Sequence, residues 1–245
     1  MKAMVFAAGL GTRLRPITDT LPKALVPVCG EPLLAHVLRK LQRSGYTEVV
    51  VNVHHFPQLI RDYLARKDFG MKVSISDESS ELLETGGGIR HAKALLQADE
   101  PFLVHNVDIV SDVDLTWFRN QMHPGTLATL LVSERKTSRY LLFNDEMRLV
   151  GWMNFTTGEV RSPYPDLDPA QCRRYAFSGI HNISPAIFDA FDALGMPGRF
   201  PILDFYIKVC DRYPIYGAVA ENLHLVDVGK FETLPQAEAI CHSIL

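Results

Sequence analysis

Positions 7 to 16 read Ala7-Ala8-Gly9-Leu10-Gly11-Thr12-Arg13-Leu14-Arg15-Pro16. Glycines let a backbone pass close to an anion and turn successive N–H groups toward it, and arginines add fixed charge that grips phosphate oxygens in pairs. Such a loop suits a polyphosphate, with Ala8, Gly9, Gly11, Thr12 and Arg13 as contact positions. Two common phosphate fingerprints are missing: a dinucleotide loop needs a third glycine where Leu14 stands, and no G-x-x-x-x-G-K-[ST] occurs. A tight turn with solvated arginines would account for a lone G-x-G. Here the loop is followed by Leu21-Pro22-Lys23-Ala24-Leu25-Val26-Pro27-Val28, a proline-bracketed lysine in an otherwise apolar segment, and the combination favours anion chemistry.

Two acids each close an apolar run: Asp108 after Phe102-Leu103-Val104-His105-Asn106-Val107, and Asp227 after Leu225-Val226. Two carboxylates with phosphate oxygens make a reasonable octahedral magnesium site, although a lone strand-end aspartate is more often a turn or cap residue. Glu84-Thr85-Gly86-Gly87-Gly88 precedes a helical pattern, where backbone can approach a base while Glu81 or Glu84 orients nearby groups. A glycine N-cap is the structural alternative. His54, His55 and His105 sit at strand ends without H-x-x-H spacing or a cysteine partner, so they read as polar lining rather than zinc ligands.

These residues need a scaffold that gathers strand ends. Met1 to Ala8 predicts a buried parallel strand, Pro32 to Ser44 a helix with Leu34, Val37, Leu38 and Leu41 on one face, and Glu48 to Val53 a second strand. A helix at Gln58 to Leu64, a strand around Val73 and Ile75, a helix at Ile89 to Leu96 and strands at Phe102 to Val104 and Leu127 to Val132 continue the alternation. The predicted class is α/β, a mostly parallel central sheet flanked by helices, which presents ligands at the carboxyl ends of its strands.

After about residue 140 the pattern loosens. Tyr140 to Phe143, Leu149 to Met153 and Phe177 to Ile183 predict strands in mixed or antiparallel order, interrupted by the proline-rich stretch Ser162 to Pro169. Helices at Ala186 to Leu194 and Ile202 to Arg212 and a strand at Leu223 to Val226 follow. Arg61 to Asp68 reads as a solvated helix face, and Phe188, Phe191, Phe200, Phe205 and Tyr206 as core or a subunit contact.

The pair G-L-G-T-R-L-R-P at 9–16 and P-K-A-L-V-P-V at 22–28 resembles the opening of the bacterial sugar-1-phosphate nucleotidyltransferases, and the resemblance extends over nearly the whole chain. The short length and Glu84-Thr85-Gly86-Gly87-Gly88 are most similar to the N-acetylmuramate-1-phosphate uridylyltransferase and the mannose- or heptose-1-phosphate guanylyltransferase-like groups of that family. The resemblance implies a Rossmann-like GT-A fold, a Mg2+ ion, and a reaction in which an NTP (UTP, GTP or dTTP) and a sugar 1-phosphate give an NDP-sugar and pyrophosphate. It implies a single domain over 1–245, with residues 1–135 binding the nucleotide and 136–245 the sugar. Arg13 would hold the departing pyrophosphate, Lys23 would sit between the α-phosphate and the sugar phosphate, and Asp108 and Asp227 would hold the metal. Glu84, Gly86 and Gly87 fall on the nucleotide side, and Asn106, Ser178 and Gly179 on the sugar side.

Three departures accompany the likeness. The usual N-G-D reads Asn106-Val107-Asp108, the usual P-K-P-L has Ala24, and the E-K-P motif of the larger thymidylyl and uridylyl enzymes is missing, so its lysine has no counterpart. They leave two rivals, phosphocholine cytidylyl transfer and a catalytically silent nucleotide-sugar-binding module.

Composition narrows the classes further. With 25 basic against 28 acidic residues in 245, a net charge of -3 argues against a nucleic-acid partner, and 47% apolar residues suffice for a large core. No run approaches the roughly 18–20 apolar residues that span a bilayer, and Gly9 ends the first apolar run too early for a signal peptide, so a cytoplasmic protein without membrane partners is expected. Cys29, Cys172, Cys210 and Cys241 are scattered and read as reduced, packing thiols. A homodimer is expected only on general grounds.

Overall fold

The computed structural model describes residues 1–244. In strand β1 (Lys2–Phe6), Ala3 and Val5 enter one hydrophobic cluster and Met4 another, all buried, so the strand needs cover on both faces. The hairpin of β2 (Pro27–Val28) and β3 (Glu31–Pro32) leads into helix α1 (Leu33–Arg43), which buries Leu34, Val37, Leu38 and Leu41 as its spacing predicts. Strand β4 (Glu48–Val53) repeats the alternation, with Val49, Val51 and Val53 in the first cluster and Val50 in the second. Helix α2 (Pro57–Ala65) and strand β5 (Lys72–Asp77) follow, and β1, β4 and β5 pair in parallel.

The helix expected at Ile89 to Leu96 is two helices, α3 (Glu84–His91) and α4 (Lys93–Leu96). The triple glycine therefore lies inside α3 rather than ahead of it. The reason is packing: a Cβ on Gly86 would overlap the Phe200 ring, and one on Gly87 would overlap the Gly198 carbonyl. Strand β6 (Phe102–Asn106) pairs in parallel with β1, and β7 (Ile109–Ser111), which the sequence pattern did not reveal, follows at once. Helix α5 (Leu115–Arg119) starts at Asp114, whose carboxylate accepts the Thr116 and Trp117 amides.

Strands β8 (Ala128–Ser133), β9 (Arg139–Phe143), β10 (Leu149–Asn154), β11 (Val160–Arg161) and β12 (Arg173–Ile183) build the second half. Their order carries a correction. The expected fifth strand, β8, does not extend the parallel run; β12 inserts between β6 and β8, antiparallel to both, and pairs with β9 through its first residues. Helices α6 (Ile187–Ala193) and α7 (Ile202–Val209) lead to β13 (Ile215–Val219), parallel to β8 and also unanticipated. Strand β14 (Leu225–Asp227) pairs with β7, and helix α8 (Leu234–Ile244) ends the described residues.

The result is a mixed, mostly parallel ten-stranded sheet in the order β11-β10-β9-β12-β6-β1-β4-β5, with β8 and β13 joined beside β12. One face is covered by α1, α2, α5 and α8, the other by α3, α4, α6 and α7. Phe191 meets Phe200 and Phe205 edge-on at centroid distances of 5.2 and 4.7 Å, which places that aromatic group in the core. Cys210 and Cys241 are buried, Cys29 and Cys172 half-buried, and all four are free thiols. Among the described residues no helix is long and apolar enough to cross a membrane.

Candidate active site

Strands β1, β4 and β6 run side by side in the same direction, so Phe6, Asn52 and Asn106, which stand in register near their carboxyl ends, reach one edge together. The chain leaving β1 is pinned there: the Ala7 amide donates to Asn52 Oδ1 at 2.7 Å, and Asn52 Nδ2 donates to Glu78 Oε1 at 2.8 Å. Gly11 sits at φ +64 with Thr18 Cγ2 only 2.8 Å from where a Cβ would stand, and the Thr18 hydroxyl donates to the Gly11 carbonyl at 2.8 Å. Glycine is required at that turn. Gly9 has open space where a side chain would stand, so its backbone faces the cavity unobstructed.

The loop borders a cavity of about 620 Å3 lined by Ala8, Gly9, Gly11, Thr12, Arg13 and Lys23 on one side. Glu84, Thr85, Asn106, Asp108 and Gly229 complete much of the wall. Lys23 is 8% exposed and forms an ion pair with Asp108 Oδ2. Arg15, by contrast, pairs with Asp19 on the surface at 3.2 Å. Val107 is 4% exposed and joins the core cluster under β7, so the branched side chain is largely absorbed by packing.

Asp227 reaches the same place from the far end of the chain. β14 pairs antiparallel with β7, Asp227 stands opposite Ile109, and the Val228 amide donates to the Asp108 carbonyl at 2.8 Å. Burial pushes the Asp227 carboxyl up, and the Asp108 carboxylate pushes it further, while Lys23, Arg13 and Arg135 act against them. Its Oδ1 is buried with no hydrogen-bond partner. Gly229 allows this crowding: a Cβ there would lie 2.6 Å from Arg13 Nη2 and 2.7 Å from Asp227 Oδ1.

A buried, unpartnered carboxylate oxygen beside a second carboxylate is a donor set that fits a divalent cation with phosphate oxygens filling its remaining positions. Asp108 and Asp227 would be the protein ligands. The histidines have other employment. His54 Nδ1 and His55 Nε2 lie 2.6 and 3.4 Å from the Glu78 and Thr18 carbonyls, and burial lowers His105 to about 4, which keeps it neutral.

The remaining sequence candidates divide. Gly86 and Gly87 are buried within α3 against Phe200 and Gly198 rather than at the cavity wall, so close helix packing accounts for them. Glu84 lines the cavity but also holds Arg199 at 3.1 Å. Ser178 is buried with its hydroxyl 3.4 Å from Ser133 Oγ, and Gly179, at φ +73, faces Asn106, whose Nδ2 is 2.9 Å from the missing Cβ. Neither lines the cavity wall. Asn52, Glu78 and Gly229 were not anticipated, although an asparagine inside the apolar run Val49 to Val53 is a readable signal of a buried polar duty.

Residues 2–140 match the family model described as nucleotidyl transferase. The chain belongs to that family. This nucleotidyltransferase is 44% identical to the N-acetylmuramate alpha-1-phosphate uridylyltransferase of Neisseria meningitidis over 98% of both chains. It is 34% identical to the protein of the same description from Caulobacter vibrioides, over 97% of this chain and 95% of that one. Among solved structures, HddC from Yersinia pseudotuberculosis superposes with a TM-score of 0.78 at 21% identity, covering 100% of this chain and 99% of the other. The nucleotidyltransferase thus has the GT-A-like fold that its opening motifs imply, and it is an enzyme of the transferase class.

Proposed function

We propose that this enzyme transfers a nucleotidyl group from an NTP to a sugar 1-phosphate, releasing pyrophosphate, with Mg2+ held by Asp108 and Asp227. The observation that carries the reading is the convergence of the glycine-rich loop, the Lys23–Asp108 pair and the unpartnered Asp227 oxygen at one cavity edge.

Displacement at an α-phosphorus by another phosphate brings two anions together, so the site must neutralise charge and align the attack rather than supply a covalent nucleophile. Ala8, Gly9, Gly11 and Thr12 present backbone and hydroxyl donors to the triphosphate, and Arg13, which has no ion-pair partner among the described residues, takes the departing pyrophosphate. Lys23 is held on the approach line by Asp108 and meets the crowded α-phosphate as a point charge. The metal, when bound, screens the phosphate oxygens and polarises the reacting phosphorus.

Residues 1–135 serve the nucleotide and 136–245 the sugar, with Asn106, Ser178 and Gly179 at their junction. The strong likeness to the Neisseria protein makes UTP with N-acetylmuramic acid 1-phosphate the first pair to try, in a cytoplasmic, cell-wall precursor setting. The deciding assay is pyrophosphate release from UTP, GTP, dTTP or CTP with a panel of sugar 1-phosphates and phosphocholine, with and without Mg2+. Metal-dependent release with a sugar 1-phosphate is expected. Turnover of phosphocholine alone, or binding without turnover in every combination, would overturn the reading.

A further inference from the structure

Two cations at the cleft have been placed: Lys23 is paired with Asp108, and Arg13 comes from the glycine-rich loop with its Nη2 beside Gly229. A third, Arg135, arrives from beyond β12 in the sheet. It follows β8 by two residues, and its Nη2 donates to the Phe177 carbonyl at 3.1 Å. Among the described residues the guanidinium meets that carbonyl and no carboxylate at ion-pair distance.

The backbone around it is arranged for a ligand. Phe177 pairs with Val132, but the next pair is His181 with Leu130, so β12 carries a bulge against β8 at Ser178 and Gly179, while Ile180 stays paired with His105 of β6. The bulge turns Gly179 against Asn106 at the end of β6. Ser133, Arg135 and Leu225 line a cavity of about 540 Å3, and Leu225 shares a face of β14 with Asp227 because side chains two apart on a strand point the same way. Glu134, Glu221 and Asn222 border the same cavity and offer acceptors for hydroxyl groups.

We propose that Arg135 binds the phosphate of the incoming sugar 1-phosphate, with the sugar hydroxyls directed at the cavity between β8 and β14. This rests on the nucleotidyl-transfer reading above. The physical reason is that Arg13 takes the pyrophosphate and Lys23, paired with Asp108, stands at the crowded α-phosphate, so a second anion approaching Asp108 and Asp227 needs a further cation on its own far side. A planar guanidinium held by one carbonyl keeps its remaining N–H donors for a phosphate.

The test is steady-state kinetics on Arg135→Ala and Arg135→Lys with the pair that the unsubstituted enzyme uses best. For Arg135→Ala, KM for the sugar 1-phosphate is expected to rise by at least about tenfold while KM for the NTP stays unchanged, the split that marks loss of one substrate's binding. Arg135→Lys should recover part of the loss. In the reverse direction, KM for the NDP-sugar should rise and KM for pyrophosphate should not. An unchanged KM for the sugar 1-phosphate, or an equal rise for both substrates with a lowered melting temperature, overturns the assignment to Arg135 and leaves nucleotidyl transfer standing. If the unsubstituted enzyme forms no NDP-sugar from any pair, both readings fall.

Discussion

The two halves of the sheet furnish the cleft by different means. On the side of the glycine-rich loop, β1, β4 and β6 run in parallel register; Thr18 closes the turn on Gly11 within the loop itself, and Ala7 to Asn52 and Asn52 to Glu78 tie it to the neighbouring strands. On the other side nothing local fixes the arrangement. Asp227 is delivered by pairing β14 with β7, and Arg135 and Gly179 are set by the bulge where β12 passes between β8 and β6. A loop built from neighbouring residues can be specified by a motif, whereas a contact built by register depends on every strand that sets it.

If both halves serve one reaction, the largest losses should be equal from either side. Asp108→Asn and Asp227→Asn are each expected to lower kcat at least about 10²–10³-fold, the scale of one lost electrostatic contact to a transition state, with the folded content by circular dichroism retained. Full turnover in either variant would separate the halves.

Acid should weaken the seam between them. His181 lies on β12 inside the core, its Nδ1 2.8 Å from Tyr206 Oη, and burial lowers it to about 3. The unfolded chain takes that proton first, so stability is full above the ordinary pKa of 6.5 and declines as pH falls toward the folded value. The slope should approach about 1.4 kcal/mol per pH unit within that window, and His105 acts in the same sense. Urea midpoints at pH 7.5 and 5.0 would show it, and equal midpoints would refute it.

A smaller effect distinguishes packing from ligand contact in the triple glycine. Gly87→Ala drives a methyl group into the Gly198 carbonyl and should lower stability by about 1–3 kcal/mol, with KM for the NTP unchanged. A raised KM at unaltered stability would return Gly87 to the nucleotide side. At the bottom of the scale, Lys72→Ala breaks an exposed 3.4 Å pair with Glu48 at the sheet edge and should move the unfolding free energy by less than about 1 kcal/mol in chemical denaturation.

The local parts of this enzyme were legible. Helix α1 follows from the spacing of Leu34, Val37, Leu38 and Leu41, and the glycine-rich turn from Gly9 to Pro16 lies at the cavity edge after β1, where its position behind the first apolar run put it. Other parts were not: β7 offers only three residues, Gly217 breaks the apolar run of β13, and a helix that tolerates three glycines contradicts ordinary propensity until Phe200 and Gly198 are seen against it.

The sequence by itself therefore determined the strand-and-helix alternation, the glycine-rich turn after β1 and the identity of the acids and cations available for chemistry. Only the tertiary structure decided that β12 reverses direction between β6 and β8, that Asp227 stands beside Asp108, and that Arg135 is tied to the Phe177 carbonyl at the β12 bulge. Periodicity reports which face of an element is buried, and it carries no record of the partner; pairing distant strands is settled by how all the buried faces fit at once.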